Sequence, residues 1–396
     1  MNRRILALLI AFIMLFGLMT GCASGKQETA APEAAQTESP AAEETTAEPE
    51  QTEEVPAEEE APKAPETVSF TDSLGRTVEL PADITRIAPS GAVATMILAA
   101  IAPECMVTIN AAPSESQMAF LPENLAPLPE TGQMYGSKAD LNLETLLAAD
   151  PQVVIDLGDK KGDMAEDLDA LQAQIGIPVV FIEADLAHMA AAFRTLGGLL
   201  SGKSDRGEEL AALVDRTTAM AEENAAKITD DMRVRAMYTT GEDGLGTNAA
   251  GSMQAQVLDM VGVENAVVVE DVSNKGGGNI ISLEQLYNFD PDVILFADGS
   301  IYSTVTDDSA WSQLTAISTG KYYEVPGSPY SWLSGPPSMN MILGVWWLGN
   351  LIYPEVYDYD METMTQELYK TLWGYELSSE EVTALLGNST LKAAAQ

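Results

Sequence analysis

Histidine occurs once in this 396-residue chain, at His188, and cysteine twice, at Cys22 and Cys105. One imidazole excludes any multi-histidine metal site, and because His188 falls in an Ala-rich stretch that reads as helix, it is placed for structure rather than for a nucleophile triad. Two cysteines cannot build a metal-binding cluster, and a G-x-S-x-G nucleophile turn is missing. Basic residues are scarce, 20 against 60 acidic ones, for a formal charge of −40. A field of that sign disfavours nucleic acid and anionic lipid headgroups as partners and favours solubility at a cell surface. The one long apolar run, residues 5–19, is too short and wrongly flanked for a settled membrane-spanning helix. What these absences leave open is a carboxylate-based chemistry, since sixty acids offer many pairs, and the binding of a solute without turnover.

The N-terminus carries a compartment signal. Met1-Asn2-Arg3-Arg4 is cationic, the apolar run follows, and it ends at Leu18-Met19-Thr20-Gly21-Cys22, the pattern of a secretory signal with small residues before a cysteine. The segment resembles the bacterial lipobox, which implies cleavage before Cys22 and a lipid on its sulfur and amino group. With Cys22 acylated no internal disulfide can form, so the exported part must be held by its core. Cys105, inside the mostly apolar stretch 97–109, reads as a buried small hydrophobe. Residues 23–66 are nearly all Ala, Glu, Pro, Thr, Gln and Ser. Such a segment buries too little apolar surface to offset its ordering entropy and is expected to be a solvated, self-repelling tether. The remainder exceeds one ordinary core and suggests two lobes.

An internal repeat organises that remainder. Asn142-Leu143-Glu144-Thr145-Leu146, running to Asp150-Pro151-Gln152-Val153-Val154-Ile155, recurs as Ser282-Leu283-Glu284-Gln285-Leu286, running to Asp290-Pro291-Asp292-Val293-Ile294-Leu295. Each copy reads as a short helix stopped by Asp-Pro and followed by a buried strand. Asn142 and Ser282 are N-cap residues, and Ser282 with Gln285 forms a capping box. Residues 97–107 and 257–267 make a second matching pair of helix, tight turn and strand. Between the halves, residues 204–228 keep a helical period, with Leu210, Leu213, Val214, Met220, Ala221 and Ile228 on one side. A helix of that length spans nearly 40 Å, enough to bridge two lobes. Strands are expected at 153–156, 179–182, 235–238, 293–296 and 322–325, alternating with helices, and an early hairpin at 68–80. The expected fold class is therefore α/β: two similar lobes with central, mostly parallel sheets joined by one long interlobe helix. The expected boundaries are 1–21 for the signal, 22–66 for the lipidated cysteine and tether, 67–203 for the first lobe, 204–228 for the connecting helix and 229–396 for the second lobe.

Gly197-Gly198-Leu199-Leu200-Ser201-Gly202-Lys203-Ser204 satisfies the phosphate-loop pattern. A phosphate loop needs a buried strand immediately before it. The preceding residues 186–200 read as an amphipathic helix instead, so Gly202 is expected to end one helix and Ser204 to cap the next. Lys275-Gly276-Gly277-Gly278-Asn279 likewise reads as a loop rather than a nucleotide cradle.

The opening Phe70-Thr71-Asp72-Ser73-Leu74-Gly75-Arg76-Thr77-Val78-Glu79-Leu80-Pro81, the later Thr85-Arg86-Ile87-Ala88-Pro89-Ser90, the paired repeat segments, the helix linker and Tyr330-Ser331-Trp332-Leu333-Ser334-Gly335-Pro336-Pro337-Ser338 together resemble the iron-siderophore, haem and vitamin B12 substrate-binding proteins of ABC importers. The likeness covers about residues 67–385. It implies two α/β lobes with the ligand between them, no catalytic residues, no resident metal or cofactor beyond the bound solute, and a monomer that hands its cargo to an ABC permease with its ATPase subunits. It also implies a cell-envelope location, lipid-anchored through Cys22 on the outer face of the membrane. In the vitamin B12-binding member a glutamate opening the short helix of each lobe meets permease arginines, and the matching residues are Glu144 and Glu284. The helix dipole favours a first-turn glutamate independently.

For the cleft, the resemblance points to Tyr135-Gly136-Ser137-Lys138, with Lys138 standing where that relative has an aromatic, and to Trp332 on the opposing lobe. The loop Ser90-Gly91-Ala92 follows the first strand of its lobe, where α/β sheets place ligands, and Gly246-Thr247-Asn248 is the expected counterpart in the second lobe. Gly335 occupies a position where related sequences carry arginine. The expected ligand is a metal chelate, an iron-siderophore, haem or corrinoid-like molecule. The alternative, suggested by Lys138 among glycine and serine N–H groups, is a small oxyanion such as molybdate, and a secreted hydrolase is the contrasting class.

Overall fold

The computed structural model describes residues 66–135, 139–274 and 276–390. Cys22, the signal and tether through residue 65, and Gly136, Ser137 and Lys138 lie outside them. The chain begins with an antiparallel hairpin, β1 (Thr67–Thr71) and β2 (Thr77–Pro81). Its turn is shaped by Asp72, whose Oδ1 accepts from the N–H groups of Leu74 and Arg76, while Gly75 takes φ +81°. The turn then docks on the first-lobe sheet, with Ser73 N–H donating to the Phe181 carbonyl at 3.0 Å, which covers a sheet edge.

That sheet is three parallel strands in the order β3 (Ile87–Pro89), β4 (Val153–Gly158) and β5 (Val179–Glu183). The second sheet has six strands: β6 (Arg235–Thr240), β7 (Gly246–Thr247), β8 (Glu264–Asn265), β9 (Asn279–Ile280), β10 (Val293–Phe296) and β11 (Tyr322–Glu324). β11, β10, β6 and β8 run parallel, and β7 and β9 add an antiparallel edge. β10 is buried along its whole length and β4 along all but its last residue, the continuous burial expected of a sheet covered on both faces, with Asp156 the one charged residue in the two strands.

The repeat is also a repeat of detail. Helices Leu143–Ala148 and Leu283–Phe289 are capped by Asn142 and Ser282, whose side chains accept from the N–H groups of Thr145 and Gln285, and Ser282 with Gln285 completes the capping box. Both end at an aspartate in the left-handed region, Asp150 at φ 52° and Asp290 at φ 38°. In each lobe an arginine of or beside the first strand caps the last carbonyls: Arg86 bonds Ala149 and Asp150, and Arg235 bonds Phe289 and Asp290. The strained aspartates sit one residue before Pro151 and Pro291, where the α region is disfavoured and the chain must turn into a strand.

The interlobe helix is Ser204–Ala225, with Lys203 rather than Ser204 at its N-cap position. It is held from both sides. Arg206 donates to the Ala100 carbonyl of the first lobe and to the Thr371 carbonyl near the C-terminus, and Trp346 Nε1 donates to Thr217 Oγ1 at 2.9 Å. One continuous apolar core, from Val78 through Leu210, Leu213 and Val214 to Trp346 and Leu386, joins these elements, so the helix acts as a packed strut. The phosphate-loop-like stretch forms the hairpin between helix Met189–Leu199 and this strut. Gly197 and Gly207 are where the two helices touch: a Cβ on Gly207 would lie 2.7 Å from the Gly197 Cα and 2.6 Å from the Phe193 carbonyl oxygen. His188 stands just before the first of these helices, with Nδ1 2.7 Å from Asp185 Oδ1. Cys105 is buried, and burial pushes its thiol up from its ordinary range. No helix among the described residues is long and apolar enough to cross a membrane.

Candidate ligand-binding cleft

The C-terminal ends of β3 and β4 open on a cavity of about 310 Å³ that is lined by both lobes. Ligands of open α/β sheets settle at such strand ends. The first-lobe wall is built from Ser90, Gly91, Ala92 and Val93, from Gln133 and Tyr135, and from Asp156 and Lys161 near the end of β4. Met253, Gln254 and Asn274 close the opposite side, together with Gly335 and Pro336.

Ser90 and Gly91 carry the chain from β3 into helix Ala92–Ile101, whose first turn has no acidic residue and whose N-cap, Gly91, has no side chain to offer. The first helical bond runs from Thr95 N–H to the Gly91 carbonyl. The N–H groups before it point outward at the positive end of the helix dipole, an arrangement suited to anions. A Cβ at Gly91 would come within 3.2 Å of the Gln133 Cβ, so glycine is what lets this turn lie against the neighbouring wall.

Asp156 is 5% exposed. Its Oδ1 accepts the Ser90 hydroxyl, while its buried Oδ2 has no partner among the described residues. Burial pushes its carboxyl up from about 3.8 to about 6, against the Ser90 hydrogen bond, the positive charge of Lys161 and the Leu157 backbone N–H, which lower it. The Lys161 ammonium lies 3.5 Å from Asp159 Oδ1 and 5.4 Å from the centre of the Tyr135 ring. The Tyr135 hydroxyl is buried without a partner among the described residues, and its acidity is suppressed first by burial and then by Asp156.

Of the residues expected at the cleft, Ser90, Gly91, Ala92 and Tyr135 come together here. Trp332 does not. Its side chain is fully enclosed, edge-on to Trp347 at 6.5 Å and tilted against Tyr369 at 6.4 Å, so the expected ligand-facing indole is corrected to a core residue. The cause is a close backbone approach: a Cβ on Gly344 would lie 2.1 Å from the Trp332 carbonyl oxygen, and this seats the Trp332 segment on helix Met341–Ile352 with the ring inward. Gly246, Thr247 and Asn248 are buried and are absent from the cavity wall. Thr247 Oγ1 donates to the Tyr238 carbonyl, and Asn248 Nδ2 to Ser334 Oγ, bracing the loop that presents Gly335. Glu144 and Glu284 are exposed in the first turns of their helices and take no part in the cavity.

Asp156, Lys161, Gln133 and Gln254 were not anticipated. The signal for Asp156 was present, since it ends the strand expected at 153–156 and strand ends are where ligands bind. Gln254 lies in a single 3₁₀ turn, Met253–Ala255, and Asn274 in a loop, and neither segment is long enough to show a periodicity.

Residues 98–329 match the family model described as periplasmic binding protein. The structure is similar to an ABC transporter solute-binding protein from Sulfurospirillum deleyianum, at 28% identity and a TM-score of 0.74, covering 81% of this chain and 99% of that one. By sequence the chain is 25% identical over 272 residues to the molybdate-binding protein MolA of Haemophilus influenzae, covering 63% of this chain and 74% of the relative. The molybdate-bound structure of MolA shares the fold, at 21% identity and a TM-score of 0.64, over 78% of this chain and 99% of that chain.

Proposed function

This chain belongs to the family of periplasmic binding proteins, the extracytoplasmic solute-binding components of ABC importers, and on that premise we propose that its cleft captures a small tetrahedral oxyanion of the molybdate class. The family consists of solute-binding proteins rather than enzymes and works with a permease and its ATPase subunits. The observation that carries the ligand class is the wall of the cavity. A ten-residue helix directs an N-terminus free of acidic residues into a space of about 310 Å³, with the Ser90 hydroxyl and the Lys161 ammonium nearby. Backbone N–H groups and a lysine recognise a compact dianion by charge-assisted hydrogen bonds. A flat chelate needs a face to stack on, and with Trp332 enclosed Tyr135 is the one aromatic among the described lining residues. The sequence likeness to a molybdate-binding relative supports the same class. The overall charge of −40 does not oppose it, because a helix terminus and a cation set a local potential of their own.

Calorimetric titration tests the reading. Molybdate is expected to bind at one site per chain, with ferric siderophores, haem and cobalamin silent. Lys161→Ala should weaken molybdate by about 1–2 kcal/mol, the scale of a charge-assisted hydrogen bond at a partly open site. Lys138→Ala probes the other expected cation. Chelate binding with molybdate silent would sink the assignment.

The chain is further proposed to act as a monomer, anchored through a lipid on Cys22 with the acidic segment 23–66 as its tether. Cys22→Ala is expected to abolish metabolic labelling by palmitate and to move the protein out of the detergent phase, and unchanged labelling would remove the anchor. Glu144 and Glu284 are proposed as the permease contacts, supported by their exposure at equivalent helix starts in the two lobes.

A further inference from the structure

Asp156 is an anomaly in an anion site. A carboxylate beside a bound dianion repels it, and one oxygen of this carboxylate is buried in the cavity wall with no partner among the described residues. Unpartnered buried polar atoms cost free energy and call for an occupant. A metal cation is a poor candidate, because the helix N-terminus at Ala92 and the Lys161 ammonium both repel one. The Ser90 hydroxyl donates to Oδ1, which leaves Oδ2 as the atom that can carry a proton.

We propose that the protein binds its oxyanion together with one proton from solvent, held on Asp156 Oδ2, so that the buried carboxyl group beside the Ala92 turn is neutral and does not repel the ligand. The inference rests on the oxyanion reading and adds the proton to it. No covalent bond changes; the proton comes from the buffer and returns to it on release.

The charged and titratable groups around the carboxyl are few. Ser90 faces it from the end of β3, Lys161 and the Leu157 backbone N–H lower its proton affinity, Asp159 raises it, and Tyr135 stands beside it with a hydroxyl that stays protonated through neutral pH. The described second-lobe lining residues, among them Gln254, Asn274 and Gly335, carry no charge. Burial holds the free-protein carboxyl near 6. The sign follows from linkage. Below about pH 6 the proton is already in place and affinity is flat; above it the proton must be taken up on binding, so affinity falls as pH rises, towards about tenfold per unit. A protein delivering molybdate-like anions would hold them more tightly in a mildly acidic exterior.

Titration of the wild type with sodium molybdate in buffers of differing ionisation enthalpy is expected to show uptake approaching one proton per ligand at about pH 8, fading to none below about pH 6. In Asp156→Asn the amide oxygen keeps the Ser90 contact and the side chain is neutral at every pH. That variant should lose the proton uptake, bind with nearly pH-independent affinity, and exceed the wild type by roughly tenfold or more at about pH 8. His188→Gln removes the single histidine and should leave the uptake intact. Molybdate binding without proton uptake, uptake that survives in Asp156→Asn, or uptake lost in His188→Gln would each overturn the proton-linked site while leaving the oxyanion assignment standing. Absence of molybdate binding by the wild type at every pH would overturn both.

Discussion

Truncating Trp332 to alanine is expected to lower the stability of the fold by about 3–5 kcal/mol, the range for removing a large aromatic from a packed interior. The ring is fully enclosed, lies edge-on to Trp347 and against Tyr369, and its Nε1 reaches the Ser328 carbonyl at 3.4 Å. The Gly344 contact fixes the backbone behind it, so the site has little freedom to collapse into the void. Denaturant unfolding of wild type and variant should show the loss as a shifted midpoint with an unchanged slope. Molybdate affinity, measured where both proteins remain folded, should stay within about twofold, since the ring is absent from the cavity wall. Unaltered stability with a collapse in affinity would return Trp332 to the cleft.

The paired reversal Glu144→Lys with Glu284→Lys is expected to bring uptake down to background while leaving the dissociation constant nearly untouched. Both glutamates are exposed in the first turn of a short helix, at the same place in the two copies of the repeat. Neither lines the cavity. Loss of the favourable first-turn charge costs about 0.3–1 kcal/mol per helix, and the caps at Asn142 and Ser282 remain, so the fold should survive. If each glutamate meets a basic group on the permease, reversal replaces attraction by repulsion at two points of one contact, where like-charge juxtaposition costs several kcal/mol. The measurement is transport of radiolabelled molybdate into cells that carry the cognate permease, beside calorimetry on the purified variant. Persisting uptake, or binding lost together with uptake, would remove the docking role.

Several features of the molecule were legible along the chain because they depend on neighbours in sequence. The Asp-Pro stops at 150–151 and 290–291, the Ser282–Gln285 capping box and the runs that became β4 and β10 are local signals, and their recurrence announced two α/β halves before any contact was known. The phosphate-loop pattern fails on the same local ground, since a helix precedes it. Arg86 and Arg235 escaped notice because an arginine capping a helix some sixty residues away leaves no periodic trace.

The cleft divides along the same line. Ser90, Gly91 and Ala92 could be named from sequence because the loop after a strand is a local feature, and α/β sheets place ligands at such strand ends. Trp332 and Asp156 could not be sorted. An indole in a Gly/Pro-rich loop reads the same whether it faces ligand or core, and its direction was decided by Gly344 on a helix that arrives later in the chain. An aspartate within a strand buried on both faces carries no alternation to say where it points. Its place in the cavity was decided by the register of β4 between β3 and β5 and by the Ser90 hydroxyl across from it. Sequence alone determined the elements, their repeat and their class, because backbone propensity, capping and turn chemistry act over a few residues. The tertiary structure decided which side chains share the cleft, because a side chain's direction is set by the packing of segments far apart in the chain.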